Sequence, residues 1–567
     1  MSTRTPAEQA ELITAGYTVA GPAVTLGAAL VGGEVRAQAQ VRLPLRMMNR
    51  HGLVAGATGT GKTITLQVMA EQLSAHGVPV FLADIKGDLT GLSTPGAASG
   101  KLLARTASVG MPWRPRSFPV EYYSLGGDGL GVPLRATVSS FGPLLLARIM
   151  ELNETQESSL QLVFHYADKK GLELLDLKDL RAVIQHLTGD RGKAELEELG
   201  GLSKATAGVI LRELVGLEAQ GLEKFFGEPE FDTAELLRLA PDGRGVISCL
   251  ELPTILQKPL VFSTFLIWLL ADLFAELPEV GDAEKPKLVF FLDEAHLLFR
   301  DASKAFLNSI ITTVRLIRSK GVGVFFVTQT PKDVPEEVLG QLANRVQHAL
   351  RAFTPDDAKA LRATVSTFPV SDYDLEEALT QAGTGEAIVT VMNEKGAPTP
   401  VAWTRMWSPE STMGPSDPGT VGAAVAQSAL LAVYGDAVDR ESAFERLRGA
   451  EAPDAGPGTP ATGGSVGGHM PSRGQSQAEI DAEARRIEEE ILGRPSGAPG
   501  GRPWPDSPGD APAESPRAPG RGGRRPAEPR EPEPASNPMM DFALQAAGAL
   551  GKELMRGMFG TQRRRRR

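Results

Sequence analysis

The stretch "GATGTGKT", residues 56–63, decides how the rest of the chain is read. It fits the spacing G-x-x-x-x-G-K-[ST], the pattern of a loop that cradles phosphate. Gly56, Gly59 and Gly61 permit backbone turns that a side chain would block, so the N–H groups of Ala57, Thr58, Thr60 and their neighbours can face an anion. Lys62 is expected to reach the β- and γ-phosphates of ATP, and the Thr63 hydroxyl to hold Mg²⁺. The flanks agree with this reading. "HGLVAG" (51–56) reads as a short apolar strand, and "TITLQVMAEQLSAHG" (63–77) carries apolar residues at helical spacing, closed by Gly77. A helix starting near Lys62 adds its positive N-terminal end to the cradle.

Outward from the loop, residues 45–415 alternate strand-like and helix-like runs, which predicts an α/β fold with a mostly parallel sheet covered on both faces. The strand candidates are "GLVAG", "VPVFLAD", "GVISCLEL", "KLVFFLD", "GVGVFFVTQ", "VQHALRAF" and "EAIVTVM". Most are continuously apolar, as strands buried on both sides are. The expected layout is a short β-rich segment at 1–44, a first part of the core at 45–139, a helical insertion at 140–240, and a second part of the core at 241–415. A helical extension follows at 416–450. Residues 451–540 hold 32 Pro or Gly in 90, above the roughly 25–30% at which a segment cannot form a core. Residues 451–537 are therefore expected to be a disordered Pro/Gly-rich linker, with "AEIDAEARRIEEEILGR" a short helix at most. Residues 538–567 read as an apolar-faced helix ending in five arginines, a candidate contact for acidic lipid, nucleic acid or another protein.

A chain of 567 residues has room for two or three domains, and its net charge of −10 argues against indiscriminate coating of nucleic acid. The single cysteine, Cys249, excludes an internal disulfide and fits a reducing cytoplasm. "MSTRTPAEQAELITAG" has no signal-peptide core, so export is not expected. The most apolar run, "PLVFSTFLIWLLADLFAEL", meets Asp272 after about 13 residues, short for a transmembrane span. It reads as a helix buried in a large core.

"KLVFFLDEAH" (287–296) is an apolar strand ending in two acids. Beside a phosphate loop, Asp293 is expected to orient water on Mg²⁺, and Glu294 to polarise the attacking water as general base. By itself the pair equally reads as a helix cap. "GVGVFFVTQ" ends in Gln329, a candidate sensor of the γ-phosphate, because ligands of such sheets collect at the carboxyl ends of the strands. "ADIKGD" (83–88) leaves another strand at that edge. Asp84, Lys86 and Asp88 either meet the metal's water shell, communicate between nucleotide and ligand, or simply form a turn on Gly87.

Taken in order, "NRHGLVAGATGTGKT", "FLADIKGD", "FFGEPEFD", "KPKLVFFLDEAHLLF", "RLIRSKGVGVFFVTQTPKDVP" and "LGQLANRVQHALRAFTP" resemble the HerA-like branch of the HerA/FtsK ATPases, over about residues 20–445. The resemblance is closest to a bacterial HerA-like group. It implies a RecA-like P-loop motor, commonly a hexameric homo-oligomer that hydrolyses ATP to move DNA. It carries over Gly61, Lys62 and Thr63 as nucleotide ligands, Asp293 and Glu294 as the acidic pair, and Gln329 as sensor. A ring also needs an arginine presented to the neighbour's γ-phosphate; Arg345 is favoured over Arg318 and Arg351. HerA proper carries a small β-barrel before its motor, whereas "YTVAGPAVTLGAALVGGEVRAQAQVRLPL" (17–45) has room for only a few strands.

Two functions of different class follow. One is a DNA translocase or helicase-like motor. The other is an ATP-switched assembly protein that recruits a protein or membrane partner through its insertion or tail.

Overall fold

The computed structural model describes residues 4–196, 200–252, 259–281, 283–299 and 304–451. The expected linker and arginine-tipped helix lie outside the described residues. Twelve strands form one sheet: β1 (Ala23–Val31), β2 (Glu34–Pro44), β3 (Gly52–Ala55), β4 (Val80–Asp84), β5 (Val120–Leu125), β6 (Val132–Leu134), β7 (Ile247–Glu251), β8 (Leu288–Leu292), β9 (Val322–Thr328), β10 (Asn344–His348), β11 (Glu386–Thr390) and β12 (Ala402–Met406). Their order is β2-β1-β12-β11-β10-β3-β9-β8-β4-β7-β5-β6. From β10 to β6 every pairing is parallel. From β10 back to β2 every pairing is antiparallel.

The parallel strands carry large apolar residues on both faces, which is why they are buried on both. One face presents Leu53, Phe81, Phe290 and Phe326 to a core shared with the helix Pro259–Glu276 and with the five helices that the described residues form between β6 and β7. Those five are Val138–Ile149, Glu154–Lys170, Leu177–Thr188, Asp190–Leu196 and Lys204–Ala219. The helix Pro259–Glu276 is the apolar run noted in the sequence. Trp268 and Phe265 on it are fully buried, and its Asp272 accepts a hydrogen bond from the Thr233 hydroxyl at 2.7 Å. Among the described residues no helix is long and apolar enough to cross a membrane.

The other face presents Val54, Leu82, Phe291 and Val327 to Leu66, Met69 and Leu73 of the helix Lys62–Ala75. The N-terminal helix Pro6–Gly16, opened by a capping box of Thr5 and Glu8, closes this side through Ile13. The hairpin β1–β2 continues the main sheet, pairing through β12 with Gly27 opposite Met406. Cys249 lies fully buried on β7, and burial pushes its thiol well up.

Candidate functional site

The sheet order sets the site. β3, β9, β8 and β4 are consecutive, so the segments leaving their carboxyl ends gather along one edge, where ligands of open parallel sheets bind. Neighbouring strands lie about 4.8 Å apart, so the tips of β3 and β8 are separated by roughly 10 Å, the span of β9 between them.

The phosphate loop leaves β3 and is pinned to its neighbours. The Gly56 N–H donates to Thr328 O at the end of β9 (3.2 Å), and the Ala57 N–H to Ala349 O just past β10 (2.8 Å). The Thr60 hydroxyl donates to Ala57 O at 2.7 Å. Gly56, Gly59 and Gly61 have φ of 155°, 75° and 111°, the region that favours glycine. A Cβ on Gly56 would come within 2.5 Å of His348 Cβ, so backbone freedom and close packing both require glycine there. Thr58 and Gly59 form the turn at the loop's crest. Gly61 caps the helix Lys62–Ala75, and Thr63, half-buried, stands in its first turn. Lys62 Nζ donates to Gly56 O (2.6 Å) and Ala57 O (3.2 Å). Burial pushes the Lys62 ammonium's pKa down, against the pull of nearby Glu294.

Asp293, just past β8, is 3% exposed. Its Oδ1 accepts the Glu294 N–H at 2.9 Å. Burial pushes its carboxyl up to about 6, against the pull of Lys86. A carboxylate so costly to ionise alone gains from a cation beside it, so Asp293 is a residue that could hold one. Glu294 has φ of 46°, a strained value for a residue with a side chain. Its Oε1 lies 2.5 Å from Lys86 Nζ and its Oε2 3.2 Å from His296 Nδ1. Burial opposes ionisation of Glu294, but Lys86 and His296 outweigh it and hold the carboxyl below its ordinary range. Among the described residues, Glu294 Oε2 is buried without an aligned hydrogen-bond donor, which suits an oxygen that takes a proton from water.

Gln329 is exposed, one residue beyond β9. Of the arginines, Arg345 is the second residue of β10, paired with Leu53 in the sheet and donating to the Thr367 hydroxyl at 2.5 Å. It is therefore set back from the strand tips. Arg351 is exposed past the carboxyl end of β10 and donates to Thr380 O at 3.1 Å. Arg318 is exposed in the turn Arg318–Lys320 that precedes β9. Asp84 is held by its own turn, accepting the N–H groups of Gly87, Asp88 and Leu89 at 2.8, 3.2 and 2.8 Å.

His348 carries no motif, and sequence reasoning did not single it out. It is fully buried behind the loop. Its Nδ1 lies 2.9 Å from Glu386 O; a carbonyl only accepts, so Nδ1 carries the proton. Nε2, 3.0 Å from Thr65 Oγ1, then accepts from that hydroxyl. Burial pushes the ring's pKa down to about 4, which keeps it neutral and the tautomer fixed. The only sequence sign is a lone histidine within an apolar strand, which is common in cores.

A family model described as "Helicase HerA-like C-terminal" matches residues 31–482. The DNA double-strand break repair helicase HerA of Sulfolobus acidocaldarius is 21% identical over 369 residues, 63% of this chain and 66% of that protein. The protein of the same name from Saccharolobus solfataricus is 21% identical over 370 residues, 63% of this chain and 65% of that one. The chain thus spans just under two thirds of the length of these relatives. Among solved structures, the plasmid coupling protein TrwB in complex with the non-hydrolysable ATP analogue ADPNP is similar at 15% identity and a TM-score of 0.47, covering 71% of this chain and 93% of that one. With a family model matched over most of its length, and a phosphate-loop motif and an acidic pair on strand tips one strand apart, the chain belongs to the helicase HerA-like C-terminal family of P-loop ATPases.

Proposed function

We propose that the protein is a Mg²⁺-dependent ATP hydrolase that works as a ring of identical subunits, six by the family resemblance, and moves DNA through it. One observation carries the reading: Lys62, Asp293, Glu294 and Lys86 converge from β3, β8 and β4 on one sheet edge, beside a helix N-terminus. In this reading the loop from Gly56 to Thr63 holds the phosphates, with Lys62 turning from its own carbonyls to their oxygens. Thr63 and Asp293 would hold Mg²⁺, which supplies charge neutralisation on the phosphate oxygens when bound. Glu294 accepts the proton of the attacking water at Oε2, and Gln329 contacts the terminal phosphate from the strand between. Arg345 is the arginine offered to the neighbouring subunit, with Arg351 the nearer alternative to the strand tips. The relatives' names, DNA double-strand break repair helicases, support DNA as the polymer.

The test is ATP hydrolysis across a DNA titration at two salt concentrations, with Glu294→Gln as blank. Stimulation by DNA that fades as salt rises is expected, because phosphate contacts release counterions. Turnover indifferent to DNA, with no DNA binding at low salt, overturns the translocase reading and leaves an ATP-switched assembly protein in its place.

A further inference from the structure

Lys86 pairs with Glu294 but has been given no step in the reaction so far, and its placement is tightly determined. The three N–H groups bound by the Asp84 carboxylate fix the turn after β4, and Gly87 completes it at φ 73°. The turn directs Lys86 across to β8, where Nζ meets Glu294 Oε1 at 2.5 Å. The two ends of this ion pair differ. The Glu294 side chain is 7% exposed and that of Lys86 42%, so the lysine is the partner that an incoming ligand can reach. Lys62 approaches the same acidic pair from the phosphate loop, close enough that the charge of Lys86 disfavours that of Lys62. Two ammonium groups around one space are relieved by a polyanion placed between them. A phosphate also offers Lys86 more acceptor oxygens than a single carboxylate does.

We propose that Lys86 is a positioning residue with two alternative partners. It tethers Glu294 while no triphosphate is bound, and transfers to the terminal phosphate when ATP arrives, leaving the carboxylate to the attacking water. This rests on the ATPase reading above. It makes the presence of the third phosphate and the freedom of the base a single event, reported by one side chain. ADP offers no such acceptor, so the tether persists with ADP bound.

The experiment measures affinities for Mg·ADP and for a Mg-bound non-hydrolysable ATP analogue by calorimetry. The proteins are wild type, Lys86→Met, Lys86→Arg, Glu294→Gln and the Lys86→Met/Glu294→Gln double variant. Lys86→Met is expected to weaken analogue binding roughly tenfold while ADP affinity stays within about twofold, and Lys86→Arg to restore most of the loss. Glu294→Gln frees the lysine beforehand, so it should tighten analogue binding when Lys86 is present and change nothing when residue 86 is methionine. Equal effects of Lys86→Met on both nucleotides, or none on either, overturn the proposal. Wild-type protein that binds neither nucleotide overturns the ATPase reading instead.

Discussion

Lys62 Nζ donates to Gly56 O at 2.6 Å, so the lysine of the phosphate loop is folded onto the loop that bears it. In the proposed reading the carbonyls of Gly56 and Ala57 stand in for phosphate oxygens, and the ammonium is held where burial disfavours it. Lys62→Met is therefore expected to weaken ATP binding by about 1.5–3 kcal/mol, roughly 10- to 150-fold, the range of hydrogen bonds to charged groups. The thermal midpoint of the nucleotide-free protein should stay level or rise, because a buried cation is removed. Nucleotide titration and scanning calorimetry on one preparation check both halves.

Glu294→Gln keeps the shape of the base and removes its ability to take a proton. ATP turnover should fall by about 10²–10⁴-fold, the usual contribution of a general base. ATP should still bind, so a filter assay with labelled ATP should find the uncleaved nucleotide on the variant long after wild type has released ADP. Turnover equal to wild type would remove Glu294 from the mechanism.

His348→Leu leaves the Glu386 carbonyl and the Thr65 hydroxyl buried without their ring partner. An unsatisfied buried group costs about 1–3 kcal/mol, so the urea midpoint should drop accordingly. Gly56→Ala acts on the same contact from the other side, placing a methyl against His348 Cβ. Both variants should raise the KM for ATP, because Thr65 lies in the helix that starts at Lys62.

Glu71, on the far half of that helix, gives a pH signature. It is 4% exposed, and burial pushes its carboxyl up to about 7 despite hydrogen bonds from Ser411 and from the Glu410 and Ser411 N–H groups. A folded-state pKa raised above the unfolded value means that the folded protein holds a proton the unfolded chain has lost. The associated stability is fully present below about pH 4.5 and is lost as pH rises through about 7. The loss amounts to roughly 3 kcal/mol for a shift of this size. Stability measured from pH 4.5 to 8 should fall less steeply in Glu71→Gln than in wild type; parallel curves would contradict the assignment.

The parts of the fold legible in the sequence are those written in local pattern. Six of the strand candidates coincide with β3, β4, β7, β8, β9 and β11, because each is a short apolar run bounded by turn residues. The seventh, "VQHALRAF", is displaced: β10 begins at Asn344, whose amide donates to Met47 O and His51 O, so a satisfied polar residue occupies the strand. The chain then leaves the sheet through exposed Arg351 and Phe353. β5, with Tyr122 and Tyr123 buried, lies among prolines and glycines that mask its pattern. The loop glycines, Lys62 and the acidic pair were legible as motifs. The Lys86 contact with Glu294 and the support from His348 join residues more than 200 positions apart, or lie in an apolar run that hides a ring nitrogen, and only the fold brings them into view.

The hairpin β1–β2 bears on how the protein can be handled. Its Val24, Leu26, Val41 and Leu43 are fully buried. The Thr25 N–H and C=O exchange hydrogen bonds at 2.8 Å with the side-chain amide of Gln72, on the helix that starts at the phosphate loop. Trimming the first 44 residues to obtain a smaller motor would strip the backing from that helix and lay bare the side of β12 that β1 covers. An uncovered strand edge recruits other chains. The shortened protein would be prone to precipitate, and its lost activity would say nothing about catalysis.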